Sequence, residues 1–427
     1  MSPAARSKPT ARLLAGLLPD RALTWEEHLA AHGPLAQPGP GKHLVVEVER
    51  SGLLGRGGAG FPTGRKMRTV AAGARRTVVV ANGAESEPAS HKDHVLLSHE
   101  PHLVLDGMEL AAGAIAADQG HLLVHRGSSA LPALRVALAE RARARVDRTP
   151  VTLHELPARY VASEESALVH FLNGGDAKPT YTPPRPFEQG VARRPTLVNN
   201  VETLAQVALI ARHGSEWFRA VGDADEPGTL LVTVSGPGTV DKVVEVPTGT
   251  SLEQTTRVAG VDLGAASAVL VGGYFGTWVG IGQARALHLT QHALRAGGGA
   301  LGAGVLLAVP HGVCGVTELA RVARYLARES AGQCGPCLNG LPAIAAALEE
   351  LAGGSWDPRR GAALDRWLSL MPGRGACRHP DGATRFVGTG LAAFAEDVER
   401  HQRGMICAPG ARTGWLPVPA TAEGVWR

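Results

Sequence analysis

Thr77-Val78-Val79-Val80-Ala81-Asn82-Gly83-Ala84-Glu85-Ser86-Glu87-Pro88 reads as a buried β-strand running into an acidic turn. A short β-branched run bounded by glycine and proline has strand character, and ligand sites of α/β sheets lie at the carboxyl ends of strands. Asn82 there can donate to and accept from a heterocycle edge, while Glu85 and Glu87 can bind ribose or ribityl hydroxyls. A solvated acidic turn would have the same composition. Working outward, residues 101–117 have helical apolar spacing, 121–125 read as a strand and 130–148 as an amphipathic helix. This alternation predicts an α/β domain with a mostly parallel sheet over residues 51–225. Residues 1–50 read as a Pro- and Ala-rich N-terminal extension with a short helix at 24–31, where Thr24 and Glu27 match a capping box.

Just upstream of the strand lies Gly55-Arg56-Gly57-Gly58-Ala59-Gly60-Phe61-Pro62-Thr63-Gly64-Arg65-Lys66. Glycines let a ligand approach the main chain, successive N–H groups form an anion nest, and Arg56 or Lys66 can neutralise a phosphate. Phe61 offers a face for a ring. The loop suits a phosphorylated, ring-bearing cofactor, although its spacing matches neither G-x-G-x-x-G before a helix nor a P-loop, and a plain mobile loop also fits. Two further polar segments follow. Glu164-Glu165 comes after Tyr160-Val161-Ala162-Ser163, and Asn199-Asn200 closes an apolar run just before a helix starting near Glu202 and Thr203. Taken alone, the second is an ordinary capped helix start.

Residues 226–300 change character: strands at 230–235, 243–246 and 268–271 and one helix at 252–259 predict a small β-grasp-like module. Residues 301–427 read as helical, with helices at 318–329, 341–352, 360–370 and 390–401 suggesting a four-helix bundle. The uncharged stretches 263–284 and 296–317 are broken by glycines and read as strands and turns, so no direct membrane span is expected. The N-terminus has no signal-peptide pattern, which with five cysteines in 427 residues points to a cytoplasmic protein using thiols for metal or redox work. A net charge of +4 is too small for a nucleic-acid footprint.

Glu329-Ser330-Ala331-Gly332-Gln333-Cys334-Gly335-Pro336-Cys337 places a C-x-x-C between two helices, and Cys377 follows in Gly375-Ala376-Cys377-Arg378-His379. Thiolates gathered this way hold iron–sulfur clusters, with Ala331 standing where a first cysteine would be. Cys407, or more weakly Cys314, is a candidate fourth thiolate. A zinc site with His379, or a decayed loop of small buried residues, remains open on spacing alone.

In this order the motifs resemble the NADH- and FMN-binding flavoprotein subunit of respiratory complex I and its relatives in NAD-linked hydrogenases and formate dehydrogenases. The resemblance rests on residues 55–66, 82–88 with Lys92-Asp93, 101–107, 160–168, 195–203, 271–279 and 329–337. It implies a Rossmann-like FMN/NADH domain, a ubiquitin-like soluble-ligand-binding β-grasp module and a helical iron–sulfur domain. It also implies hydride transfer from NADH to FMN and single-electron transfer through a [4Fe–4S] cluster. By the same resemblance, Gly55, Arg56, Gly57, Lys66, Asn82, Glu87, Glu164, Asn199, Asn200 and Thr203 bind FMN or nucleotide, and the ring of Phe61 is read as a further cofactor contact. Glu85 and Glu165 then act at the reacting centre, and Cys334, Cys337 and Cys377 bind the cluster. The partner implied is a ferredoxin-like or thioredoxin-like Fe–S protein, through which the chain could join a membrane complex. Departures from the family pattern are Ala84 for Asp, Ser163 for Gly, Thr69 for an aromatic, Met67 for Trp, Arg185 for an aromatic, Leu338 for Arg and Ala331 for Cys. With three cysteines the cluster is [4Fe–4S] with a foreign ligand, [3Fe–4S], or absent. The competing functions are an electron-transfer flavoprotein that no longer oxidises NADH and a non-catalytic scaffold.

Overall fold

The computed structural model describes residues 11–35, 42–73, 76–420 and 425–427. Helices α1 (Trp25–His32), α2 (Lys42–Ser51) and α3 (Thr63–Ala71) precede strand β1 (Thr77–Asn82). Helices α4 (Lys92–His99) and α5 (Pro101–Ile115) lead to β2 (Ala117–His125), and α6 (Leu131–Ala144) to β3 (Val151–Leu156). Helix α7 (Glu165–Leu172) precedes β4 (Thr196–Asn200), which runs into α8 (Val201–Arg219). The four strands form a parallel sheet of order β3-β2-β1-β4. The chain steps outward from β1 to β3 and returns on the other side of β1. The order therefore reverses between β1 and β4, the place where sheets of this kind offer a binding crevice.

Alternation along the strands builds a core on each face. Val79, Ala81, Leu122, Val124 and Leu197 join α2, α3, α5 and α8 on one side. Val78, Val80, Leu123 and Val198 meet Leu168 and Val169 of α7 on the other. The capping box at Thr24 and Glu27 is present. Two helices are shorter than their apolar spacing suggested, because Ala116 (φ 57°) and Arg145 (φ 54°) adopt the left-handed conformation that ends a helix. The N-terminal segment is more than an extension. Leu13 and the α2 residues Val45 and Val48 are buried in the main core, so packing of the α/β domain begins well before residue 51.

A second sheet comprises β5 (Thr229–Gly236), β6 (Thr239–Pro247), β7 (Ala266–Val271), β8 (Thr277–Gly280) and β9 (Val305–Pro310), in the order β6-β5-β9-β7-β8. Helices α9 (Leu252–Ala259), α10 (Ile281–Ala286) and α11 (Gln291–Ala296) complete the module. The expected boundary at residue 300 falls too early, since β9 is the central strand, parallel to β5 and antiparallel to β7. Val269, Val271, Leu306 and Ala308 face α9. Ala268, Leu270, Leu307 and Val309 face the C-terminal helices α12 (Gly315–Arg328), α13 (Leu341–Ala352), α14 (Pro358–Leu370), α15 (His379–Ala393) and α16 (Ala395–Gln402). The helix expected at 390–401 is therefore two. α15 begins at His379, and a break at buried Phe394 separates it from α16. The stretches tested for membrane spans hold strands and short helices, and no helix among the described residues is long and apolar enough to cross a membrane.

Gly107 sets the closest approach in the α/β core. A Cβ there would stand 1.9 Å from the backbone oxygen of Leu204, so α5 and α8 touch main chain to main chain. Gly107→Ala is expected to destabilise the protein by about 2 kcal/mol or more, because the obstacle is backbone rather than a mobile side chain. Chemical-denaturant unfolding of the purified variant measures this.

Candidate functional site

The glycine-rich loop lies over the switch point. Its entry is pinned by Gly55 N–H to Phe61 O (2.9 Å) and by the Arg56 N–H donating to Thr203 Oγ1 (2.9 Å). A Cβ on Gly57 would come within 3.2 Å of Asn200 Cβ, so the loop lies close against the start of α8. The Arg56 side chain turns inward, donating to Thr229 O (2.9 Å) and approaching Glu202 at 4.0 Å. Burial lowers its pKa, opposed by Glu202 and Glu226, and its Nε is buried without a hydrogen-bond partner. Phe61 is 48% exposed, with the Arg65 guanidinium 5.9 Å above its ring. Lys66 Nζ reaches Glu165 (3.1 Å) and Val198 O (2.6 Å), bringing the loop to the ends of α7 and β4.

At the end of β1, Asn82 Nδ2 donates to Ser163 O (2.9 Å). Glu85, expected at the reacting centre, accepts N–H bonds from Asp93 (3.2 Å) and His94 (2.9 Å) and a hydroxyl from Ser90 (2.5 Å). It thus caps the N-terminus of α4. Burial, with Asp93 adding, raises its pKa to about 7. Glu87 is also raised to about 7, chiefly by burial, while accepting bonds from Tyr160 Oη and Tyr274 N–H, both at 2.7 Å. Glu85 and Glu87 line a cavity of about 390 Å³ with Gly83 and His125.

At the end of β4, Asn199 is buried with its Nδ2 unpartnered. Asn200 Oδ1 accepts the Glu202 N–H (2.9 Å), and its Nδ2 donates to Asp93 (2.6 Å). Asn200 Oδ1 therefore caps α8, while Nδ2 ties that helix start to α4. Glu164 accepts bonds from Ser166 N (2.8 Å) and Ala167 N (3.2 Å), capping α7, and burial raises its pKa. Of the acidic pair, Glu165 carries the exposed face, with its side chain 32% accessible beside Lys66.

Sequence reasoning gave too little weight to Lys92. Its buried ammonium contacts Asp93 (2.7 Å), Glu202 (3.0 Å) and Asn200 (3.5 Å). Burial alone would lower its pKa, but Asp93, Glu202 and Glu85 together raise it. Thr63 and Tyr181 were also missed. Thr63 is buried at the start of α3 with its Oγ1 unpartnered. Tyr181 is 75% exposed and follows Thr180, which Ser166 Oγ holds beside Glu165. A hydroxyl at a helix start and an aromatic in a proline-rich loop give no periodic signal.

Cys334, Cys337 and Cys377 come together. Burial pushes the Cys337 thiol up to about 12, with Cys334 and Cys377 adding, and Glu164 is near enough to raise Cys377 as well. The cysteine loop is anchored to the crevice by Glu329, which binds Arg159 Nε (3.0 Å) and the Tyr160 N–H (2.8 Å). Cys314 and Cys407, the candidate fourth thiolates, face His401 instead, each at 3.4 Å. His379 Nε2 donates to Leu326 O, leaving Nδ1 buried and unpartnered.

The residues suit the expected groups. Asn199 Nδ2 and Thr63 Oγ1 are buried polar atoms lacking hydrogen-bond partners beside the glycine-rich loop. Three thiols with a half-buried opening suit an iron–sulfur cluster with one non-cysteine position.

A family model of the Nuo51 FMN-binding domain matches residues 48–209, and one of the NADH-ubiquinone oxidoreductase-F iron-sulfur binding region matches 317–401. The F subunit of the NADH-quinone oxidoreductase of Salmonella typhimurium is 31% identical over 372 residues, 83% of each chain. Its Streptomyces coelicolor counterpart is 30% identical over 397 residues, 87% of this chain and 86% of that one. Two structures of an NAD+-reducing [NiFe]-hydrogenase, H2-reduced and air-oxidized, superpose with TM-scores of 0.79 and 0.80 at 33% identity, covering 85% and 89% of this chain. The chain spans 64% and 65% of those hydrogenase chains, slightly under two thirds of their length.

The Lys92 cluster makes a direct prediction. Lys92→Met leaves Asp93 and Glu202 buried without their cation and is expected to cost about 3–5 kcal/mol. Denaturant unfolding against the wild type checks it.

Proposed function

Because this chain belongs to the family of NADH-quinone oxidoreductase F subunits, we propose that the crevice at the ends of β1 and β4 is its flavin and NADH site. The chain is an NADH:acceptor oxidoreductase subunit that works with FMN and an iron–sulfur cluster. The observation carrying the site assignment is the pair of buried atoms without hydrogen-bond partners, Asn199 Nδ2 and Thr63 Oγ1, at the switch point beside a glycine-rich loop. Bound there, FMN would accept a hydride from NADH and release single electrons, chemistry that side chains do not supply.

The chain's own residues orient and shield. Gly55, Gly57 and the start of α3 bring backbone N–H groups and Thr63 to a phosphate, with Lys66 as counter-charge. Asn82 and Asn199 address the ring and ribityl edge. Asn200, Thr203, Glu85 and Glu164 act as positioning residues, holding helix starts and the loop in place. Glu165 faces the opening and holds Lys66, while Glu87 offers a buried carboxylate to ribose hydroxyls. Phe61 and Tyr181 are exposed aromatic platforms for a base, Tyr181 lying four residues from the guanidinium of Arg185.

Cys334, Cys337 and Cys377 would hold an iron–sulfur cluster that supplies single-electron transfer, and their loop adjoins Glu164 and presents Leu338 at 60% exposure. That surface suits a ferredoxin-like or thioredoxin-like Fe–S partner. Assembly through such a partner would place this chain on the cytoplasmic side of a larger complex.

NADH added anaerobically to FMN-loaded protein is expected to bleach the visible flavin band, and an unchanged spectrum would overturn the reading. Tyr181→Ala is expected to raise the KM for NADH several-fold with little change in kcat, measured with a soluble acceptor. Glu87 supplies a pH signature. Its carboxylate accepts hydroxyls better than its acid form does, so NADH affinity is expected to rise as pH passes upward through about 7. Glu87→Gln should flatten that rise in a titration. In stability the sign is opposite. A raised folded-state pKa favours the fold below the unfolded value, and this contribution is lost as pH climbs through about 7.

A further inference from the structure

Away from the crevice, Cys314, His401 and Cys407 meet at the far end of the helical domain. All three are buried, and their donor atoms lie within 4.8 Å of one another. Each sulfur is 3.4 Å from His401 Nε2. Asp397 turns one oxygen towards Cys407 Sγ at 3.9 Å, while its other oxygen accepts the Gly315 N–H at 2.9 Å. Three donors from the start of α12, the chain after α16, and α16 itself thus share one buried point, and the half-buried Asp397 approaches it from the side of Cys407.

We propose that Cys314, Cys407, His401 and Asp397 form a structural zinc site. Spacing is the first argument. Ligands at zinc distances in a tetrahedron stand about 3.6 Å apart for sulfur and nitrogen, close to what is seen. The histidine tautomer is the second. His401 Nδ1 donates its N–H to Leu351 O (3.1 Å), which leaves Nε2 with a free lone pair towards both sulfurs. Metal-binding histidines are oriented in this way.

Crowding is the third argument. The Cys314 and Cys407 thiols and the Cys407 N–H (3.3 Å) all approach that one nitrogen. A single lone pair cannot serve three donors, whereas a cation among two thiolates, an imidazole and a carboxylate satisfies every ligand. Cys314 is also the N-cap of the 14-residue α12, so a metal there would be fixed to the start of that helix. Val316, Leu351, Trp356 and Leu391 close the site from water, as befits a structural rather than a catalytic metal.

Soft sulfur donors with nitrogen in a tetrahedral, enclosed site select zinc over calcium or magnesium. Bound there, zinc would tie the chain after α16 to the start of α12, the helix that ends at Glu329 and the cysteine loop. This site is independent of the flavin and cluster assignments.

The test uses full-length protein purified from zinc-containing medium. Elemental analysis should find roughly one zinc per chain, retained in Cys334→Ser and lost in Cys314→Ser and Cys407→Ser. Should those variants fail to fold, zinc-edge X-ray absorption of the wild type should show two sulfurs at about 2.3 Å and nitrogen or oxygen at about 2.0–2.1 Å. Absence of zinc would overturn the proposal. So would zinc with three sulfur neighbours that Cys334→Ser removes, or a Cys314–Cys407 disulfide in a peptide map of freshly purified protein.

Discussion

The buried ammonium of Lys92 holds the molecule's parts in register. It sits in the first turn of α4 and touches Glu202, in the first turn of α8, while Asn200 joins α8 to Asp93 beside it. Glu202 also accepts the N–H of Leu231 in β5 (2.9 Å), so the same carboxylate reaches the second sheet. Arg56 extends the cluster into the glycine-rich loop and to Thr229 of β5. Ions this deep are tolerated only when each has partners on several sides, and those partners belong to different parts of the fold. Loop, switch point and second module are consequently fixed relative to one another.

This arrangement explains why several acidic and amide groups at the crevice serve the backbone. Glu85, Glu164 and Asn200 each occupy the N-terminus of a helix, where N–H groups lack intrahelical partners. Three helix starts, α4, α7 and α8, are thereby aimed at one place, and their dipoles favour negative charge there. The atoms left over face inward. Glu164 beside Cys377 links the start of α7 to the cysteine loop.

The second sheet has its own constraint. Adjacent residues of β7 and β9 alternate between the α9 core and the C-terminal helical core, so both faces are apolar. A strand covered on both sides reads as a continuous hydrophobic run. Residues 305–310 accordingly resembled part of a long apolar stretch ahead of the helical domain, when they supply the centre of the sheet. The break at Phe394 has a similar origin, since a buried aromatic at a helix junction looks like one more apolar residue of a helical pattern.

The local pattern of the chain determined the parallel α/β domain, the β-grasp-like strands, most helices and the motifs at residues 55–66, 82–88 and 329–337. These features depend on spacing and turn chemistry within a few residues. Tertiary structure decided which polar groups are spent on helix starts and which remain available, as with Glu85 against Asn199. It also decided that β9 lies between β5 and β7, and that Cys314 and Cys407 meet His401 rather than the cysteine loop. The physical reason is the same in each case. A hydrogen bond or thiol contact between residues far apart in sequence leaves no periodic trace, and only the folded chain brings its two ends together.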